Sequence, residues 1–248
     1  MPIPAAPPPG LVAAIVRDKD VASCAADAGG SQAQYIATAF ELRNVTLKSG
    51  ERMTVAVGKD ACIAVGQSVR VFIFRRTPGG FVRVLDDVSM AESVDVRSDG
   101  TVELPTHETI DTIVESTYVW NGKTYAFSPA RSHVYDVPLE ERRPYQIAVT
   151  FPPGAHEMTL SGSTALNFGE TYVFKARAGQ TADIALTHHT GRAPAVVLSY
   201  GGKTLADLTG AKWTGTLPHS GTYALDVFGS GDGDPTTRSA YTIRLHIN

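Results

Sequence analysis

The last hundred residues carry the pattern that most constrains the fold. Short runs of β-branched and aromatic residues recur there at regular spacing, separated by Gly, Pro, Asn, Asp and Ser. The pattern predicts eight strands, at residues 146–151, 158–161, 170–176, 181–187, 195–200, 212–217, 221–228 and 240–247. Eight short strands at this spacing are typical of a jelly-roll-like sandwich.

The first half also alternates in the manner of strands, and no long run has the 3.6-residue period of a helix. Strands are predicted at residues 52–57, 68–76, 80–85 and 101–104. The dipeptide Asn121-Gly122 lies between two β-forming arms, which predicts a type I′ hairpin. Helix is expected only in short pieces, such as 11–16 and 31–39. The predicted fold class is therefore all-β, with a mainly antiparallel first domain that contains little helix.

Domain boundaries follow from composition. Residues 1–10 contain five prolines and predict a disordered, extended lead. The charged segment that starts at Glu140 and ends at Pro144 predicts a boundary between two folded domains. We therefore expect a lead at 1–10, a β-rich domain at 11–143 and the β-sandwich domain at 144–248.

Charge and hydropathy exclude two classes of partner. The chain has 248 residues, with 22 Lys and Arg against 25 Asp and Glu. Neither half has the basic excess of a protein that binds a phosphate backbone, so we expect no nucleic acid. No stretch of about 18 apolar residues is present, and so no membrane-spanning helix is expected.

The two cysteines, Cys24 and Cys62, fit no zinc or redox spacing. They either form a disulfide in an oxidising compartment or remain two separate buried thiols, and we expect the disulfide. The start of the chain has neither a basic region nor an apolar signal core. Two readings remain, an exported mature protein and a cytoplasmic protein with a Pro-rich tail. The low Lys content and the abundant Thr, Ser and Gly favour the exported protein. A periplasmic or secreted location is predicted.

The second half resembles the bacterial prepeptidase C-terminal-like sandwich family. The segments that carry the resemblance are 151–155 (FPPGA), 160–163 (LSGS), 172–180 (YVFKARAGQ), 213–223 (WTGTLPHSGTY) and 241–243 (YTI). This family is attached to many secreted proteins, so the resemblance implies a fold more than a function.

The same sandwich resembles that of periplasmic inhibitors of goose-type lysozyme. Ser220-Gly221-Thr222-Tyr223 is one residue short of the Ser-Gly-x-x-Tyr signature that other lysozyme-inhibitor families carry on a different fold. The resemblance implies a loop that plugs the cleft of the hydrolase with hydroxyls and a cation. Its candidate residues are His219, Ser220 and Tyr223, with Lys212 as the cation. The alternative is that Ser220 to Tyr223 only form a structural turn into a strand.

The first half loosely resembles periplasmic proteins with FG-GAP or propeller-like repeats. The resemblance is carried by Ile73-Phe74-Arg75-Arg76, by Gly79-Gly80-Phe81 and by the hairpin around Trp120. The Asp-rich loops with which such repeats bind Ca²⁺ are absent from this sequence, so no calcium is expected.

Candidate catalytic and metal-binding groups are few. His107, Glu108 and Asp111 have the spacing of a metalloprotease helix, but Pro105 and several β-branched residues favour a polar loop that leads into a strand. Asp232-Gly233-Asp234 lacks the further ligands of a calcium loop. No Gly-x-Ser-x-Gly elbow or phosphate-binding loop is present. We predict no enzyme activity and no cofactor.

Aromatic residues are the remaining candidates for binding, since such side chains dominate sugar stacking and protein interfaces. Trp120 lies near a predicted hairpin tip, whereas Trp213 is expected in the core. The predicted function is a non-catalytic periplasmic or secreted protein that binds another protein and inhibits a lysozyme-like peptidoglycan hydrolase. The alternative is an envelope module that binds carbohydrate such as peptidoglycan, and a hydrolase built on His107, Glu108 and Asp111 is the third reading.

Overall fold

The computed structural model describes residues 7–91, 94–109, 111–137, 141–165, 169–208, 212–229 and 238–248. Contacts divide the chain into two compact units. The first unit comprises the described residues of Met1–Thr106 and Glu115–Ser132, and the sandwich unit comprises those of His107–Val114 and His133–Asn248. Strands dominate both units, which confirms the all-β fold class. The boundary between residues 143 and 144 stays a prediction.

Three short helices open the first unit: α1 Pro9–Ile15, α2 Lys19–Asp27 and α3 Gln32–Ala39. Asp18 accepts hydrogen bonds from the amides of Asp20 and Val21 at 3.2 and 3.4 Å, which starts α2. Because α1 begins at Pro9, a favourable first helical residue, the disordered lead predicted for residues 1–10 is wrong from that residue on. Residues 1–6 of that lead lie outside the described part of the chain.

The strands that follow are β1 Phe40–Thr46, β2 Arg52–Gly58, β3 Val69–Thr77, β4 Gly80–Ser89, β5 Thr101–Thr109, β6 Thr112–Trp120 and β7 Tyr125–Phe127. β1 to β4 form one antiparallel sheet in sequence order. Four strands that pair in sequence order form a β-meander.

Both faces of the β1–β4 sheet are covered. Consecutive residues Val55, Ala56 and Val57 are at most 1% exposed, although side chains of neighbouring strand residues point to opposite faces. Ala56 packs with the helices, while Val55 and Val57 belong to a second cluster that includes Tyr125. The first unit therefore has two cores, one on each face of its sheet.

The predicted disulfide is present. Cys24 on α2 bonds to Cys62, with 5.9 Å between their Cα atoms. Cys24 is buried in the helix-side core, and Cys62 lies in the loop between β2 and β3. The bond fastens the helical layer to that loop.

The hairpin predicted around Asn121 is confirmed, but its turn is different. Trp120 pairs with Tyr125, which leaves a loop of four residues, too long for a type I′ turn. The Asn121 carboxamide accepts from the amides of Lys123 and Thr124 at 2.9 Å each. A side-chain cap closes this turn.

The sandwich unit contains β8 His133–Asp136, β9 Glu141–Pro144, β10 Gln146–Ala148, β11 Glu157–Thr164, β12 Gly169–Ala176, β13 Thr181–His188, β14 Ala195–Tyr200, β15 Lys203–Asp207, β16 Lys212–Thr216, β17 Gly221–Phe228 and β18 Ser239–Ile247. One sheet has the order β10-β12-β17-β14-β15, and the other has β11-β18-β13-β16. All eight predicted strands are present, and β15 is an additional strand. Alternate residues of β12, β13, β17 and β18 are buried in a single core.

A buried polar cluster lies within the sandwich unit. One oxygen of Glu170 accepts hydrogen bonds from the hydroxyls of Tyr172 and Tyr241 at 2.9 and 2.5 Å. The other forms an ion pair with Arg143, which also binds Asp136 at 2.9 Å. Gly162 leaves room for this cluster, because a Cβ there would lie 1.9 Å from the Glu170 carboxylate.

The pattern at His107 to Asp111 lies on a β-hairpin, since His107 and Glu108 are in β5 and Asp111 precedes β6. The expected polar loop is thus largely strand, and Ile110 lies outside the described residues. Among the described residues, no three His, Cys, Asp or Glu side chains are placed to hold a metal ion. Asp232 and Asp234 lie outside them, as does Glu140. No helix of the described chain is long and apolar enough to cross a membrane.

Candidate functional site

The loop Leu217–Ser220, between β16 and β17, contains two of the predicted site residues. Leu217 is fully buried and fixes the loop at its start. Its amide donates to the carbonyl of Gln180 at 2.8 Å, and its carbonyl accepts from the amide of Gly179 at 2.9 Å. Pro218, His219 and Ser220 are exposed. The loop therefore presents a polar tip on a buried base.

Tyr223 fixes the backbone of this loop from its buried side. Its side chain is 0% exposed and stacks on Phe174, with 5.7 Å between ring centroids. The Tyr223 hydroxyl donates to the carbonyl of His219 at 2.7 Å and accepts from its amide at 2.9 Å. The prediction that Tyr223 itself contacts a partner is corrected, because its hydroxyl is already used and its ring is in the core. Its place is that of a positioning residue.

Ser220 is held by two neighbouring turns. Its Oγ accepts from the amide of Ala178 at 3.0 Å, and its carbonyl accepts from the hydroxyl of Tyr200 at 3.0 Å. The serine O–H has no acceptor among the described residues. Because a hydroxyl carries one donor besides its acceptor sites, Ser220 retains a hydrogen to donate outward.

The His219 ring lies on Tyr200, with 4.6 Å between centroids and 28° between planes. Stacking restricts the rotamer of an otherwise exposed imidazole. Gly221 leaves room for the Tyr200 side chain, because its φ is +147° and a Cβ there would lie 2.9 Å from the Tyr200 hydroxyl. Ser220 to Tyr223 thus form both a structural turn and the base of an exposed tip.

The predicted cation, Lys212, is not brought to the loop. It lies at the start of β16, about 13 Å along the strand from the strand's other end. Its ammonium lies 3.7 Å from Asp183, which also binds Arg244 at 3.6 Å. Lys212 therefore belongs to a surface ion-pair group on the other sheet.

Two cations that the sequence analysis did not select lie beside the loop. Lys175 pairs with Thr222 across β12 and β17, and Arg177 follows the next pair, Ala176 with Gly221. Both are exposed, and neither has a carboxylate within ion-pair distance among the described residues. The only sequence signal for them is their place in segment 172–180, which predicts a strand and a turn.

Each tryptophan makes its contacts within its own unit. Trp120, in the first unit, donates from Nε1 to Glu51 at 3.2 Å. The Arg75 guanidinium lies 5.6 Å from its ring centre, and Tyr125 lies 5.5 Å away. Trp213 is partly buried and packs against the sandwich core, as expected.

No protein-family model and no curated protein matches this sequence. Similar solved structures include PliG of Aeromonas hydrophila, a periplasmic inhibitor of g-type lysozyme, with 22% identity and a TM-score of 0.36 over 42% of this chain and 96% of that one. PliG of Salmonella Typhimurium has 23% identity and a TM-score of 0.35, over 42% and 97%.

The pre-peptidase C-terminal domain of a Bacillus anthracis collagenase has 18% identity and a TM-score of 0.31, over 44% and 100% of the two chains. Glycoside hydrolases also match, at 10 or 11% identity. The solved structures thus include both kinds of protein that the second half resembles in sequence. Likeness at this level carries no information about activity.

Proposed function

We propose that the sandwich unit is a non-catalytic protein-binding domain, and that its Leu217–Ser220 loop enters the cleft of a lysozyme-like peptidoglycan hydrolase and inhibits it. The observation that carries the proposal is the exposed His219–Ser220 tip on a backbone held by the buried Tyr223 hydroxyl. A cleft-filling loop needs this combination of a rigid base and a free polar tip.

Rigidity supports the proposal on energetic grounds. Ordering a loop on binding costs free energy, and a loop that already has its bound shape avoids most of that cost. Here five groups fix the loop in the free chain: the Tyr223 and Tyr200 hydroxyls, the Ala178 and Gly179 amides and the Gln180 carbonyl.

Charge gives a second line of support. Glycoside hydrolases act through two carboxyl groups that flank the scissile bond, so their clefts carry acidic groups. The loop offers a serine O–H and an imidazole, and the Lys175 and Arg177 side chains lie beside it without a carboxylate partner among the described residues. Donors and cations complement such a cleft.

A periplasmic or secreted location is part of the proposal. The Cys24–Cys62 disulfide supports it, because disulfides persist in oxidising compartments and are rare in the cytosol. The names of the similar structures suggest g-type lysozyme as the first enzyme to test.

The test is lysis of a peptidoglycan suspension by g-type, c-type and i-type lysozymes, with and without the full chain. We expect inhibition of one class. The double change His219→Ala/Ser220→Ala is expected to raise the inhibition constant at least about tenfold, the loss typical of a central contact. His188→Ala is the matched control, since that exposed histidine ends β13 at the far end of the sandwich.

Absence of inhibition of all three classes would contradict the proposed target. Inhibition that the double variant and the control lose equally would contradict the proposed loop. Co-sedimentation with peptidoglycan alone tests the carbohydrate-binding alternative. We do not favour that alternative, because Trp120, Tyr200 and Tyr223 all have their rings or polar groups engaged within the chain.

A further inference from the structure

The edge of the five-stranded sheet is incomplete next to the candidate loop. The short strand β10 runs parallel to β12 and pairs only with Thr171, Tyr172 and Val173. One further hydrogen bond, from the amide of Val149 to the carbonyl of Val173, measures 2.8 Å. Among the described residues, no main-chain group of segment 149–156 bonds to Lys175. The second half of β12 is therefore an open edge.

Register shows which backbone groups face that edge. Because Val173 directs its carbonyl toward β10, Lys175, two residues on, directs its own N–H and C=O to the same side. Phe174, between them, faces β17 and pairs there with Tyr223. An added strand would find a donor and an acceptor at Lys175.

A groove of about 590 Å³ lies along this edge. Its walls include Ala148, Phe151, Val173, Lys175 and Thr222. Phe151 also packs against the sandwich core, so it lies on the inner side of the groove, and the exposed Lys175 lies on the outer side. The groove is apolar on one side and cationic on the other.

We propose that this groove binds an extended segment of a partner protein by strand addition to β12, and that the segment alternates apolar and acidic residues. Side chains of a strand point alternately to its two faces. The apolar ones would lie toward Phe151, and the carboxylates would lie toward Lys175 and Arg177, which have no acidic partner among the described residues. Main-chain bonds supply affinity in this mode of recognition, and alternate side chains supply specificity.

The opposite edge of the same sheet is less suited to a partner. Its strand β15 has five residues, and its register with β14 shifts between Leu198 and Ser199. Such irregularity twists an edge and hinders pairing with another strand. Lys203, at the start of β15, gives a cation of the same kind on that edge. It provides a matched control within one sheet.

The test uses the full chain and a fluorescein-labelled hexapeptide of alternating Glu and Val, blocked at both ends, with binding followed by fluorescence anisotropy. Saturable binding is expected. Lys175→Glu should weaken it about fivefold or more, since it replaces an attraction by a repulsion, and Lys203→Glu should leave it unchanged. The same peptide N-methylated at every residue should not bind, because it lacks the main-chain donors.

Three results would overturn the inference: no saturable binding, equal binding of the N-methylated peptide, or equal weakening by Lys175→Glu and Lys203→Glu. The peptide assay contains no hydrolase and leaves His219 and Ser220 unchanged. Its outcome is therefore independent of whether the loop inhibits a lysozyme.

Discussion

The two units of the molecule enclose their cores in different ways. The sheet of the first unit is buried on both faces, by helices on one side and by a second apolar cluster on the other. The sandwich unit has its main core between two sheets, and residues on the outer faces of both sheets remain partly exposed. A sandwich thus leaves the outer faces of its sheets free for contacts, which a sheet covered on both faces does not.

The two units also differ in the bonds that stabilise each of them internally. The first unit has the disulfide between α2 and the β2–β3 loop. The sandwich unit contains no cysteine and has the Glu170 cluster of tyrosines and arginines instead. Each unit has one tryptophan, Trp120 or Trp213, so single-tryptophan variants report on each separately.

The largest effect is expected from loss of the disulfide. Cys24→Ala/Cys62→Ala should lower the free energy of unfolding of the first unit by roughly 4 kcal/mol, because a crosslink over 38 residues restricts the unfolded chain. Denaturant titration followed by Trp120 in a Trp213→Phe background measures this. The free energy of unfolding of the sandwich, followed by Trp213, should not change. An equal loss in both units would contradict the conclusion that the disulfide stabilises the first unit alone.

The next effect concerns the sandwich alone. Gly162→Ala should cost about 3 kcal/mol, because the added methyl group collides with Glu170 and with the Tyr241 hydroxyl, 2.4 Å from it. Thermal unfolding followed by Trp213 measures the loss. Gly79→Ala, in the first unit and followed by Trp120, is the control, since a Cβ there would meet only Thr77, at 4.0 Å. A harmless Gly162→Ala would show that the cluster is loosely held.

Alkaline pH should lower the stability of the two units by different amounts, and this difference should be smaller than the two effects above. Burial, and then the charges of Asp99 and Glu51, raise the pKa of Tyr125 in the first unit to about 12. Burial is also the main cause that raises the pKa of Tyr172 and of Tyr241 in the sandwich. A raised phenol pKa stabilises the neutral folded form, so this stability is complete below pH 10 and is lost as pH rises further.

Each such tyrosine should lower the free energy of unfolding by about 1.4 kcal/mol for each pH unit above 10. The pKa values of Tyr35 and Tyr145, one in each unit, are raised as well, mainly by burial. The sandwich therefore has one more buried phenol and should lose stability more steeply. Chemical denaturation between pH 9 and 11 measures both slopes, and Tyr241→Phe should bring the sandwich slope close to that of the first unit. Equal slopes in the unaltered chain would contradict the assignment.

The smallest effect is local. Tyr223→Phe removes two hydrogen bonds to the main chain of His219 and should cost about 1 kcal/mol of sandwich stability. It should also speed hydrogen exchange of the His219 amide and weaken inhibition of the hydrolase. Tyr200→Phe removes one bond, to the Ser220 carbonyl, and should leave exchange of the His219 amide slow. Unchanged exchange in Tyr223→Phe would mean that the loop is held by other contacts.

Much of the fold was predictable because strand signals are local. Alternation of apolar and polar residues identified all eight strands of the predicted sandwich and three of the four strands of the β1–β4 sheet, but not β1. β15 was missed because its five residues are mostly exposed and show no alternation. α2 was missed although Val21, Cys24 and Ala25 are buried on one face, since the charges before them obscured a helix of nine residues.

The candidate site was only partly predictable, because its parts meet through strand pairing. The sequence shows Ser220 and Tyr223 as neighbours but does not show that Tyr223 points into the core, which depends on Phe174 opposite it. The same holds for the cation: Lys212 is near in sequence, yet Lys175 and Arg177 are near in space. Only the register of β12 with β17 brings them to the loop.

The Tyr223 hydroxyl binds the amide and the carbonyl of residue 219 and not its side chain. At residue 219 the path of the loop is therefore set by atoms that every residue type except proline provides. Substitutions at position 219 can change which surface the loop fits without changing the path of its backbone, whereas Ser220 also fixes the loop through its Oγ. In this respect the sandwich is a scaffold. Recognition of a different target needs a new side chain at position 219 and no new fold.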